Sequence, residues 1–272
     1  MTKSKQWSPT KIVDVLDNKT GTSTNPVVVS TDNGTGYFKA VENNQGTAAL
    51  AREFVGTSLA AWFGLSTFKF CLFEFDGKLE IILANGERVG KGTGFMTKEE
   101  EGDSWDKTIP MLDCLTNKDD ITRLVCFDTW VRNVDRCYRD HKEKVHTNAD
   151  NVYLTSASKK LYTLKAMDFT HAFLGNLDNT MDKADNVQDE AIYGLFPGFR
   201  NFLKKDIAVN ASAKLRSVQD ETVRPHVESI PNSWNIGADT REAWIRFLVG
   251  RAAFVACSFL RLSGLDNSYL RF

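Results

Sequence analysis

Residues 128–154 read DTWVRNVDRCYRDHKEKVHTNADNVYL, and after a short Ser/Lys turn residues 161–173 read LYTLKAMDFTHAF. The first string sets Arg132, Asn133, Asp135 and Arg136 at the end of an apolar helix, with Asn148 and Asn151 after a polar loop. The second delivers Asp168 just past an apolar strand. An acid, an amide and a second acid in this order can serve as a proton acceptor followed by two oxygen ligands for a hard cation. Phosphoryl transfer asks for that set, because it needs positioning and charge neutralisation more than covalent chemistry. Magnesium takes one or two protein oxygens beside phosphates and water. Asp168 with either Asn148 or Asn151 would suffice, leaving Asp135 to orient or deprotonate an attacking hydroxyl. The plainer alternative is a structural loop, since Asp and Asn readily bond their own backbone.

Composition narrows the classes. A formal net charge of −1 over 272 residues gives no global attraction for nucleic acid or an anionic membrane. Cys71, Cys114, Cys126, Cys137 and Cys257 are odd in number and lack paired short spacings. They read as reduced thiols rather than a disulfide frame or zinc site. The start, MTKSKQWSPTKIVDV, has no apolar core or small-residue cleavage site, so a secretory signal is not expected and the cytoplasm is. The most apolar late segment, 244–262, carries Arg246, Arg251 and Arg261, which predicts a packed helix rather than a membrane span.

The chain changes character near residue 95. Before it, residues 11–17, 26–31 and 36–42 alternate or run apolar between Gly/Asn/Asp clusters, predicting a meander of antiparallel strands. Residues 67–75 and 78–83 add two strands around Asp76-Gly77, and 47–63 reads as one helix stopped by Gly64. The loop 18–25 offers Gly21, Thr22 and Ser23, whose amides and hydroxyls suit an anion, although such a turn needs no ligand. Lys39 lies on the strand face of Tyr37 and Val41 and requires a partner or water; Glu53 on the helix is the candidate. A lysine–glutamate pair of this kind holds ATP phosphates in kinases, while an ordinary surface pair remains the alternative. Gly90, Gly92 and Gly94 resemble a nucleotide-binding run, but no apolar helix follows. They are expected to connect two lobes.

After residue 95 helices dominate: 119–132, 191–196, 210–217, 220–229 with Pro225 as a kink, and 240–262. Asp128 and Arg132, four apart, suit a helix-surface ion pair. His141 and His146 are expected in a solvated loop. Residues 152–155 and 161–165 read as a hairpin leading into Asp168. The fold class is therefore α+β.

In this order, GTSTNP before YFKA, then AREFV, DTWVRNVDR, NADNVYL and LKAMDFTHAF together resemble the HipA-like kinases, a branch of the protein-kinase-like superfamily, over about residues 18–175. DTWVRNVDR is the most specific, being very similar to the catalytic loop of phosphatidylinositol 3/4-kinases. The resemblance implies a bilobal protein-kinase-like fold. Residues 1–95 would form a small antiparallel sheet with one helix as the nucleotide-binding lobe, and 96–272 a mainly helical lobe carrying the catalytic and metal-binding loops. It also implies roles: Asp135 as the catalytic aspartate, Asn151 and Asp168 as metal ligands, Lys39 as the phosphate-contacting lysine with Glu53 as its partner, and Gly21, Thr22 and Ser23 as the phosphate loop. One departure is the segment RCYRDHKEKVHTNAD, which separates Asp135 from Asn151 where relatives have only a few residues.

The implied activity is ATP- and Mg2+-dependent transfer of the γ-phosphate to a hydroxyl, chiefly a protein serine or threonine. The alternatives are a lipid or small-molecule kinase, and a nucleotide-binding pseudokinase or toxin–antitoxin interaction module. A protein substrate is the expected partner and an antitoxin a further one; neither nucleic acid nor a membrane is expected.

Overall fold

The computed structural model describes residues 7–19, 24–139, 142, 144–158, 160–173 and 181–266. The chain forms two compact units, each discontinuous in sequence. The first comprises 1–54, 68–100 and 230–236; the second comprises 55–67, 101–229 and 237–272.

In the first unit, β1 (Ile12–Asn18), β2 (Val27–Thr31), β3 (Gly34–Lys39), β4 (Phe70–Phe75) and β5 (Gly92–Lys98) form one sheet in the order β1-β2-β3-β5-β4. Every neighbouring pair is antiparallel. Helix α1 (Gly46–Phe63) begins here. Val27, Val29, Phe38, Phe73, Phe75 and Met96 are among the residues of its core.

The glycine run departs from expectation. Gly92 and Gly94 lie on β5, an inner strand, and residues 78–83 make only the isolated bridge Ile82–Arg88. Packing explains the glycine: Gly94 pairs with Phe73, and a β-carbon on Gly94 would overlap the Phe38 ring. Phe38 and Phe73 meet edge to face at 5.8 Å, so the ring fills the space that a side chain would take. Residues 230–236 join this unit through Trp234, whose Nε1 donates to Thr93 O at 2.8 Å and whose ring meets Phe54 at 6.2 Å.

The second unit is mainly helical. Helices α2 (Ile109–Asp113), α3 (Asp119–Val131), α4 (Ala184–Val187), α5 (Lys205–Arg216), α6 (Asp220–Glu228) and α7 (Ala238–Leu262) accompany a small sheet. That sheet has β6 (Gly102–Ser104), β9 (Tyr153–Ser158) and β10 (Leu161–Lys165) in the order β10-β9-β6. Eleven of the thirteen residues of α3 are buried, which marks it as the central helix of the unit. Trp130 Nε1 donates to Leu248 O at 2.8 Å, fastening α3 to α7. Helix α7 is long and apolar enough to cross a membrane by length and composition, but 61% of its most apolar window is buried within the protein.

Two further expectations are corrected. The segment expected as a polar loop contains the hairpin β7 (Cys137–Arg139) and β8 (Val145–Thr147). His146 stacks on Tyr138 across the pair with ring centroids 4.8 Å apart, a contact that stabilises opposed strands; His141 lies outside the described residues. No helix forms at 191–196. Tyr193 N bonds Thr129 Oγ1 and Gly194 N bonds Cys137 O, so these amides are committed outside a helical ladder. Gly194 has φ +74° and lies against Asp128, leaving no room for a β-carbon.

Candidate active site

Helix α3 ends at Arg132, a left-handed cap with φ +50°, and the turn delivers Asn133, Asp135 and Arg136. Arg136 is fully buried and its Nε donates to Asp128 Oδ2 at 2.6 Å, both side chains being 0% exposed. The expected Asp128–Arg132 surface pair does not form; Arg132 instead donates to Asp189 Oδ2 at 2.8 Å. Burial pushes the Asp128 carboxyl up, while Arg136 and the Asn133 amide pull it down. The remaining guanidinium nitrogens donate to Asn151 O and, at 2.6 Å, to Met167 O. The Phe169 ring centroid lies 5.6 Å from Arg136 Cζ. Asn133 Nδ2 donates to Asp128 Oδ1 at 3.2 Å and Asp168 O at 3.3 Å. One buried cation thus ties the end of α3 to the Asn151 loop and the Asp168 loop. Such a charge is tolerable only with bonds of this kind to carboxylate and carbonyl oxygens.

These ties bring the expected acid and amide together. Asp135 Oδ2 accepts from Asn151 Nδ2 at 2.9 Å and Asn148 Nδ2 at 3.4 Å, and lies 3.4 Å from His171 Nδ1. Burial alone would raise the Asp135 pKa, but His171 and the two amides outweigh it, so the carboxyl sits below its ordinary value. Among the described residues nothing bonds Asp135 Oδ1, and the side chain is 33% exposed. The carboxylate is held by one oxygen and presents the other. Asp168 has φ +55°, and its Oδ1 accepts from Thr170 Oγ1 at 2.6 Å.

Both asparagines reach Asp135, but Asn151 is buried and closer, and its carbonyl is the one held by Arg136. Asn151 Oδ1 and Asp168 Oδ2 carry no hydrogen bond among the described residues. An amide oxygen and a carboxylate oxygen are the kinds of ligand that a hard divalent cation takes beside phosphate and water. No group of three or more His, Cys, Asp or Glu is gathered as a metal cage among the described residues.

In the first unit, Lys39 ends β3 and its Nζ lies 3.7 Å from Glu53 Oε2 on α1, with side chains 13% and 4% exposed. The pair expected from separate elements therefore meets, and it is too buried to be an ordinary surface contact. Gly21, Thr22 and Ser23 lie outside the described residues. His171 carries little signal in the sequence: an imidazole three residues after an acid that lies just past a strand. Arg136 as the central tie was equally hidden, because an Arg after an Asp reads as a surface residue.

A family model described as HipA-like kinase matches residues 12–252. The chain belongs to the HipA-like kinase family. The HipA-like match spans segments of both units, including the Lys39–Glu53 pair and the loops joined by Arg136. Among solved structures the chain is similar to the Helicobacter pylori proinflammatory kinase CtkA, at 13% identity and a TM-score of 0.59, covering 94% of this chain and 97% of that one. A likeness at that identity speaks for fold, and with the family it gives a bilobal kinase-like α+β architecture. No curated protein sequence matches the chain.

Proposed function

We propose that the protein is an ATP- and Mg2+-dependent kinase that transfers the γ-phosphate of ATP to a hydroxyl, with a protein serine or threonine as acceptor. The observation that carries this reading is the Asp135 carboxylate, fixed through Oδ2 by Asn151 with Oδ1 left open, on a loop tied by Arg136 to the one bearing Asp168. In this reading Asp135 Oδ1 receives the hydrogen bond of the acceptor hydroxyl and takes its proton as the oxygen attacks the γ-phosphorus, while the bond from that phosphorus to the β,γ-bridging oxygen breaks and ADP leaves with the bonding pair. Its lowered pKa keeps it ionised, and therefore an acceptor, at neutral pH. Asn151 Oδ1 and Asp168 Oδ2 would hold Mg2+, which when bound neutralises charge on the phosphate oxygens.

Lys39, steadied by Glu53, contributes the phosphate contact from the first unit. The division into residues 1–95 for nucleotide binding and 96–272 for the catalytic and metal-binding loops rests on the family resemblance. The serine/threonine acceptor and the Gly21–Thr22–Ser23 phosphate loop rest on the family resemblance. An active kinase is favoured over an inactive nucleotide binder because the acid, the amide, the second acid and the lysine–glutamate pair are all present.

The test is transfer from γ-labelled ATP to a mixed protein acceptor and to the chain itself. Asp135→Asn is expected to lower the rate by about 100-fold or more with nucleotide affinity near wild type, as for a group used mainly in the transition state. Wild-type turnover in this variant would remove Asp135 from the role.

A further inference from the structure

The Asp135–His171 contact has an extension through Thr170. Thr170 Oγ1 donates to Asp168 Oδ1 at 2.6 Å and lies 3.1 Å from His171 Nδ1. The same Nδ1 is 3.4 Å from Asp135 Oδ2. A hydroxyl has one proton, and here the carboxylate of Asp168, which can only accept, takes it. Thr170 Oγ1 therefore meets His171 as an acceptor, and Asp135 Oδ2 does so as well. Two acceptors facing one ring nitrogen require that nitrogen to carry a hydrogen, as it does in the Nδ1–H imidazole and in the imidazolium.

We propose that Thr170 and His171 form a hydrogen-bonded bridge, running from Asp168 Oδ1 through Thr170 Oγ1 and His171 Nδ1–H to Asp135 Oδ2, that holds the two carboxylates in fixed register. Both are positioning residues. They act on Asp135 Oδ2 and Asp168 Oδ1, leaving Asp135 Oδ1 and Asp168 Oδ2 for hydroxyl and metal, and this use of the bridge rests on the kinase reading above. The geometry suits its purpose, because a fixed separation between the acid at the acceptor and the acid at the metal is what near-attack alignment demands. It also makes use of a chain in which Thr170 is 0% exposed while His171 retains 28% side-chain exposure. The buried hydroxyl anchors the bridge and the ring spans the rest.

The experiment has two readouts. The first needs neither nucleotide nor metal: long-range 1H–15N correlation of the four histidines, with the His171 signal assigned by its loss in His171→Asn. The bridge predicts a hydrogen on Nδ1, in the imidazole or the imidazolium; a neutral imidazole with its hydrogen on Nε2 alone overturns it. The second is kinetic. His171→Ala is expected to lower kcat by at least about tenfold with KM for ATP within about twofold, because misalignment costs turnover rather than binding. His171→Asn, whose amide can donate from near the Nδ1 position, is expected to recover most of the loss, as is Thr170→Ser relative to Thr170→Val. Wild-type kcat in His171→Ala, or equal losses in the Ala and Asn variants, would overturn the positioning role. A wild-type protein with no transfer activity would overturn the kinase reading alone, leaving the tautomer to decide whether the bridge exists.

Discussion

Arg136 has its Nε and both terminal nitrogens committed inside the protein, to Asp128, Asn151 O and Met167 O. Its worth is best judged by what its loss would strand. Arg136→Met leaves Asp128 as a fully buried carboxylate without its counter-ion, and removing one partner of a buried pair costs about 3–5 kcal/mol. Urea unfolding should show that loss, while the double replacement Asp128→Leu with Arg136→Met should cost clearly less than the sum of the singles. A single-variant loss under about 1 kcal/mol would mean that the cluster is wetter than its burial indicates. The sequence displayed Asp135, Asp168 and a choice between Asn148 and Asn151, because acids and amides in that order announce their chemistry, and the family resemblance singled out Asn151. Arg136, Thr170 and His171 were hidden, since their roles depend on which carbonyls and carboxylates the fold brings to them.

At the scale of elements, alternation made β1, β2 and β3 legible, as the apolar pattern did α3 and α7. Strand β5 was not, because Gly92 and Gly94 break alternation and resemble a phosphate loop. The small size of Gly94 answers instead to Phe38, a residue more than fifty positions away, whereas a β-carbon on Gly92 would meet nothing within 4 Å. Gly94→Ala separates the two readings. It is expected to destabilise the protein by about 1–3 kcal/mol through overpacking, seen as a lower unfolding midpoint, with no selective loss of nucleotide affinity in the folded fraction. Unchanged stability with weakened nucleotide binding would return the run to a ligand-contacting role. The hairpin β7–β8 was illegible for a related reason: its strands are three residues long, and the Tyr138–His146 stack that supports it is a cross-strand contact.

For the whole molecule, the change from strands to helices in the sequence corresponds to real differences in local structure. The discontinuity of the two units was invisible, because residues 230–236 enter the first through Trp234, Phe54 and Thr93, contacts that no local pattern encodes. The central claim for the molecule is a nucleotide site completed by a cation on Asn151 and Asp168. Its most direct measurement is calorimetric titration of a non-hydrolysable ATP analogue into the wild type and Asp168→Ala, each with magnesium and with chelator. The account predicts that magnesium tightens wild-type binding by about tenfold or more and that Asp168→Ala abolishes the gain, as expected when one of few protein ligands is removed. Wild-type binding indifferent to magnesium, or a magnesium response equal in Asp168→Ala, would contradict it.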